Sequence, residues 1–125
     1  MEYVNIKKTN MVFEHSIKKE ENHALIKLSG ELIEKGQAAA LLSDCDDLVK
    51  QNCNKWAVDM ENLKYMNSSG LNTLIQLLTK ARVAGGEAVL FNMNKKINEL
   101  ILITKLHTLF KVTDNKDSAY KLLDI

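Results

Sequence analysis

Lys55-Trp56-Ala57-Val58-Asp59-Met60-Glu61-Asn62-Leu63-Lys64-Tyr65-Met66-Asn67-Ser68-Ser69-Gly70-Leu71 is the stretch on which the fold turns. Its opening, Lys55 to Asp59, reads as a short strand with an apolar centre. Leu63 and Tyr65-Met66 follow, and then the small polar cluster Asn67-Ser68-Ser69-Gly70. Beyond it Leu71, Leu74, Ile75, Leu78 and Ala81 recur at i, i+3, i+4 and i+7, the spacing of a helix that buries one stripe. Gly85-Gly86 closes that helix, because glycine takes the positive φ of a last turn without strain. Lys80 and Arg82 lie near the end of the helix dipole that favours cations.

Working outward, the same alternation continues. Glu87-Ala88-Val89-Leu90-Phe91 is a strand whose apolar run suits a sheet covered by helices. Lys95 to Thr104 predicts a helix with Ile97, Leu100 and Ile101 inward, Phe110 to Val112 a short strand, and Asp117 to Leu123 a closing helix. Upstream, Met11 to Ser16 and His23 to Ser29 read as two strands joined by the charged turn Lys18-Lys19-Glu20-Glu21-Asn22, an antiparallel hairpin. Gly30 punctuates the second strand. Gln37 to Lys50 is rich in helix formers, with Leu41, Leu42, Cys45, Leu48 and Val49 on the buried face. After the hairpin, strand and helix alternate, which predicts an α/β domain with parallel later strands joined by right-handed crossovers.

Composition narrows the function classes. The chain has 125 residues, 46% hydrophobic and 26% charged, enough for one domain with its own core. Its 17 Lys+Arg against 16 Asp+Glu give a net charge of +1, which argues against a dedicated nucleic-acid binder and against a disordered chain. The balance is uneven, with 8 basic and 11 acidic residues up to residue 62 and 9 basic and 5 acidic after it. Cys45 and Cys53 stand in no metal-ligand spacing and read as buried, reduced thiols on or just after one helix. The N-terminus lacks the apolar core of a secretory signal, and no apolar run approaches the roughly 20 residues of a membrane helix. The expected setting is the cytoplasm, with no membrane partner. Residues 1–10 are left as an N-terminal extension or an extra strand, and 11–125 form a single domain.

The candidate site is the cluster at the head of the central helix. Asn67, Ser68 and Ser69 are residue types that accept hydrogen bonds from the orphan N–H groups of a first turn. The same loop lies at the carboxyl end of a strand, where open α/β sheets present binding residues. A serine hydroxyl there is within reach of a kinase, and a phosphate would add about −1.5 to −2 charge at pH 7. Gly70 leaves the backbone beside the serine bare, which allows close approach by another protein.

These residues, with Leu28-Ser29-Gly30-Glu31-Leu32 before them and Ala84-Gly85-Gly86, Val89-Leu90, Ile97, Leu100, Leu106 and Phe110 after them, resemble a STAS domain. More narrowly, the chain is similar to the bacterial anti-sigma factor antagonists, over about residues 11–123. The resemblance implies a small mixed sheet of about four or five strands with helices packed mainly on one face. It further implies binding to an anti-sigma factor that is also a serine kinase, with release of a sigma factor. That kinase uses ATP to phosphorylate the second serine of the pair, here Ser69, and a phosphatase reverses the mark. By the same resemblance Asn67, Ser68 and Gly70 shape the loop; Lys64 and Tyr65 before the serines read as exposed candidates for partner contact, and with Asn72 they complete the expected partner-binding loop. The chain departs from the family pattern twice: Asn67 stands where most members have aspartate, and Ile33 where an acidic residue is common, with Glu34 one position later. The alternative reading is a non-phosphorylated STAS scaffold, or a small-ligand-binding subunit of a signalling assembly.

Nothing in the sequence points to an enzyme. The loop is not a G-x-S-x-G elbow, and there is no Walker glycine-lysine motif or glycine-rich dinucleotide loop. His15 and His23 flank the predicted hairpin, where they can face each other, and His107 sits in a turn. Three scattered histidines and two unpatterned cysteines make no metal cluster. No catalytic residue, metal or cofactor is expected. Trp56 and Phe91 are expected to pack in the core or at a sheet edge, and Met60 and Met66 to fill gaps or serve a protein-binding surface.

Overall fold

The computed structural model describes residues 12–125; Met11 of the expected first strand and the 1–10 extension lie outside the described residues. Among the described residues five strands form one sheet in chain order: β1 (Phe13–Glu20), β2 (His23–Leu32), β3 (Lys55–Met66), β4 (Glu87–Phe91) and β5 (Lys111–Thr113). β1 is antiparallel to β2, and every later pair is parallel. Four helices follow the alternation: α1 (Ala39–Lys50), α2 (Ser68–Val83), α3 (Lys95–Ile103) and α4 (Lys116–Leu123). This is the expected mixed α/β architecture.

Two faces of the sheet are covered unequally. α1, α2 and α3 place Leu41, Cys45, Leu74, Leu77, Ile97 and Ile101 against Ala24, Ile26, Leu28, Trp56, Val58 and Leu90 in one continuous core. On the other face α4 alone sets Ala119 and Leu123 on Leu25, Ala57, Val89 and Phe91. Trp56 and Phe91 are both core residues, and Trp56 spends its one polar atom on the Cys53 carbonyl at 2.9 Å. Met60 and Met66 are also fully enclosed and fill the core.

The hairpin is tighter than its charges suggested. Lys18, Lys19 and Glu20 continue β1, and the turn is only Glu21-Asn22, with Glu21 at φ 53°. An edge strand tolerates such charge because one of its sides meets water. The register also separates the two histidines: His15 pairs with Leu28, and His23 with Glu20. His15 instead reaches Asp44 of α1, Nε2 to Oδ2 at 2.8 Å, while the His23 ring meets Tyr120 of α4 edge-on at 5.7 Å.

β3 departs most from expectation. It runs seven residues beyond Asp59, to Met66, with Met60, Leu63 and Met66 buried at every third position. The pairing explains the spacing. From Lys27 to Ser29 β2 advances two residues while β3 advances from Asp59 to Asn62, and from Gly30 to Glu31 β3 advances from Leu63 to Tyr65. Each shift leaves one extra residue on β3, a bulge that resets which side chains face the core. The long strand carries the chain to the head of α2.

α2 ends as its glycines require. Gly85 takes φ +85°, its N–H bonds to the Arg82 carbonyl at 3.0 Å, and the Gly86 N–H returns to Ala81 at 2.8 Å. Cys45 and Cys53 are buried and free, Cys45 on α1 and Cys53 just after it. Burial pushes the Cys45 thiol up to about 12, with Lys80 opposing and Asp44 and Asp46 adding to the rise. Below pH 9, the thiol's ordinary value, both folded and unfolded chains keep this proton. Above it the unfolded chain ionises first, so the stabilisation drains away as pH climbs toward 12. Urea melts of wild type and Cys45→Ala at pH 8 and pH 10.5 are expected to show a smaller pH-dependent loss in the variant. Equal losses would refute a buried thiol.

Candidate functional site

Asn67 is the hinge between β3 and α2. Its backbone is extended, φ −112° and ψ −163°, so it sits as the N-cap of a helix that starts at Ser68. Its Oδ1 accepts from the N–H of Ser69 at 3.0 Å and of Gly70 at 3.2 Å. Two of the four orphan donors are thereby satisfied, in a cap of a kind worth about 1 kcal/mol. The other half of the amide acts across the sheet. Nδ2 donates to the Ile33 carbonyl at 2.9 Å, and the Asn67 N–H donates to the Leu32 carbonyl at 3.4 Å. An aspartate here would keep the acceptor and lose the donor, setting a carboxylate oxygen against a carbonyl.

The end of β2 is gripped from its other side as well. Gln37 Oε1 accepts from the N–H groups of Ile33 and Glu34, both at 2.8 Å, and Nε2 donates to the Glu31 carbonyl at 3.1 Å. Residues 31–34 are thus held between Gln37 and Asn67. The two departures from the family pattern meet in one hydrogen bond, since the Asn67 amide closes on the backbone of residue 33. A side chain at 33 does not take part in that bond. Gln37 was read only as the start of a helix; its bond to Glu34, three residues back, completes a capping box, while its bonds to Ile33 and Glu31 follow no sequence pattern.

Ser68 and Ser69 are both exposed at this fixed corner, and no acidic residue lies in the first turn of α2. Asn72, exposed one turn on, shares their side of the helix. Thr73 is buried and donates its hydroxyl to the Ser69 carbonyl at 3.3 Å. Lys64 and Tyr65 stand exposed on the last residues of β3, Tyr65 at 45%. Asn94 repeats the device of Asn67: its Oδ1 caps α3 at the Ile97 N–H, 2.9 Å, while Nδ2 donates to the carbonyls of Leu63 and Lys64.

Gly70 has a different task from the one expected. It is buried, and the space its missing Cβ leaves is filled by the Leu32 carbonyl and the Met66 side chain of the same chain. The bare backbone admits β2, not another protein.

The arrangement presents two hydroxyls at the positive end of a 16-residue helix. Among the described residues no histidine or carboxylate hydrogen-bonds either hydroxyl. Among the described residues no group of three or more His, Cys, Asp or Glu is placed to hold a metal ion. No described helix is long and apolar enough to cross a membrane.

Comparison with known proteins gives a consistent result. Residues 14–119 match the STAS domain family. The anti-sigma F factor antagonist of Paenibacillus polymyxa is 23% identical over 101 residues, covering 81% of this chain and 86% of that protein. A putative anti-sigma factor antagonist of Thermotoga maritima superposes with a TM-score of 0.78 at 18% identity, over 89% of this chain and 95% of its own. The anti-sigma factor antagonist SpoIIAA in its unphosphorylated form gives 0.73 at 15% identity, over 90% of this chain and 98% of its own. A phosphorylated form of SpoIIAA, from Bacillus, gives 0.67 at 14%, over 87% and 99%. The solved structures share the fold.

Proposed function

The chain belongs to the STAS domain family, and on that premise we propose that it is an anti-sigma factor antagonist. It binds an anti-sigma factor that is also a serine kinase, and so frees a sigma factor. The kinase transfers the γ-phosphoryl group of ATP to Ser69 Oγ, the hydroxyl proton leaves, and ADP is released. A phosphatase hydrolyses the phosphoserine and restores the hydroxyl. One observation carries the reading: Ser69 is exposed in the first turn of α2 while its backbone is pinned by Asn67. A kinase can reach the hydroxyl, and the pinned helix leaves the fold unaffected by what is added there.

The helix dipole favours a phosphate at this end. The N–H groups of Ser69 and Gly70 in this first turn are already bonded to Asn67 Oδ1. The added charge therefore has few internal donors to close on and is offered to the partner. A partner face fitted to a neutral hydroxyl would then meet about two negative charges.

The test is direct. Each purified anti-sigma kinase of the source genome is incubated with the chain and ATP, and intact mass and site mapping are read. One phosphate on Ser69 from a cognate kinase, and none in Ser69→Ala, is the expected result. Tight binding with no phosphate from any of them would overturn the switch and favour a scaffold that only binds.

A further inference from the structure

We propose that the outer edge of β1 is an interaction surface for a second copy of this chain, the two copies pairing β1 with β1 antiparallel about a two-fold axis at Ser16. The inference stands apart from the antagonist reading and uses none of its residues.

The two edges of the sheet are unequal. β5 is three residues long, too short to template another strand, and its Lys111 is tied to Glu87 at 3.5 Å. β1 is eight residues long and pairs with β2 alone, so among the described residues no strand lies on its outer side. The register decides which backbone groups it turns outward. The Val12 carbonyl accepts from the Glu31 N–H at 3.3 Å, and the turn closes on the pair Glu20 and His23. Residues alternate along an antiparallel pair between those that exchange hydrogen bonds and those that do not. Glu14, Ser16, Lys18 and Glu20 therefore spend their N–H and C=O groups on β2, while Phe13, His15, Ile17 and Lys19 aim theirs outward. Such an unpaired row is a template for another strand.

The side chains select the partner and the register. Phe13 and Ile17 pack on the main core, so Glu14, Ser16 and Lys18 point to the opposite face of the sheet, and all three are exposed. When β1 meets its own copy, outward groups have to face outward groups, and two registers then keep most of the strand paired. One centres on Ser16 and sets Phe13 against Lys19, His15 against Ile17 and Glu14 against Lys18, each twice. The other centres on Ile17 and sets Glu14 against Glu20 twice. Opposite charges across an antiparallel pair attract and like charges repel, so the Ser16 register is the one that forms. Both charges are available for it. Among the described residues Glu14 takes part in no ion pair, and Lys18 meets Glu20 at 4.0 Å, the outer limit of one. Lysines on an edge ordinarily guard it against pairing. Here the glutamate four residues before Lys18 lifts that guard for one partner, the same strand in a second copy. The contact is isologous, as in the commonest closed dimers, and its eight residues a side make it small and reversible.

The test is sedimentation of the full chain from micromolar to millimolar concentration, with charge reversals. Wild type is expected to pass reversibly from monomer to dimer. Glu14→Lys and Lys18→Glu should each weaken the dimer tenfold or more, since each sets like charges opposite one another twice, and the double reversal should restore it. Both residues are exposed, so the variants should fold as wild type, which circular dichroism checks. Ser16→Cys supplies a second measurement. In this register residue 16 meets its own copy with Cβ atoms about 4.5–5.5 Å apart, and the variant should form a covalent dimer under mild oxidation. Glu14→Cys lies four residues, roughly 13 Å, from its copy and should not. The native Cys45 and Cys53 are buried. A monomer across the whole range would overturn the proposal, whether or not residues 1–10 fill the edge. So would a dimer indifferent to both reversals, or one that Glu14→Lys strengthens, which is the mark of the Ile17 register.

Discussion

Ser69→Asp is expected to weaken binding to the cognate anti-sigma kinase by about 100-fold or more while moving the melting temperature by no more than a few degrees. The two halves of that result come from different parts of the structure. The small effect on folding follows from exposure, because among the described residues Ser69 is tied to the fold through backbone groups, its N–H to Asn67 and its carbonyl to Thr73. A carboxylate in the first turn is also favoured by the helix dipole, by about 0.3–1 kcal/mol. The large effect on binding follows from the partner's side. A charge brought unpaired into a desolvated interface costs roughly 2–5 kcal/mol, and each 1.4 kcal/mol is tenfold in affinity. Ser69→Ala separates charge from hydroxyl, and should retain affinity to within about tenfold. Binding by calorimetry and melting by circular dichroism check both. An aspartate variant that binds as tightly as wild type would remove the switch, and one that merely unfolds would remove the claim that the corner is rigid.

How far the site could be read from the sequence depends on the range of the interactions that build it. The α2 stripe, the Gly85-Gly86 stop and the apolar run of β4 are local patterns, and the structure reproduces them closely. The second half of β3 was illegible because two bulges replace alternation with a spacing of three, which is neither helix nor strand. The Asn67 cap was legible from residue type and position, but its bond to Ile33, 34 residues away, was not. That long-range bond shows what an asparagine does here that an aspartate would not. The role of Gly70 was misread for the same reason. A bare backbone beside an exposed serine suggests room for a partner until β2 is seen to occupy it. His15 and His23 show the converse, since a correct hairpin with a shorter turn was enough to part them.

Gly70 therefore carries a large expected effect on stability, at the corner that holds Ser69. A Cβ built there would overlap the Leu32 carbonyl and lie 2.8 Å from Met66 Cβ and 3.1 Å from Leu32 Cγ. Two effects oppose each other in Gly70→Ala. Helix propensity favours alanine by up to about 1 kcal/mol, while forcing a methyl into a packed site costs roughly 1–3 kcal/mol. The steric side should win, because the clashing atom is backbone and is fixed in turn: the Leu32 carbonyl accepts the Asn67 N–H. Gly70→Ala is expected to be destabilised by about 1–2 kcal/mol and Gly70→Val by about 3 kcal/mol or more, a fall on the order of 10 °C in melting temperature. Gly36→Ala supplies the control, since a Cβ there meets nothing within 4 Å, and it should lie within about 0.5 kcal/mol of wild type. The consequence extends beyond stability. To relieve the overlap the head of α2 must move away from β2, stretching the Asn67 bonds to Leu32 and Ile33 and displacing Ser69. Gly70→Ala should accordingly lose phosphorylation rate and partner affinity at temperatures where it is still fully folded. A Gly70→Ala protein that melts higher than wild type would mean that propensity outweighs packing at this contact, and that the corner carrying Ser69 is not held by the close approach of β2.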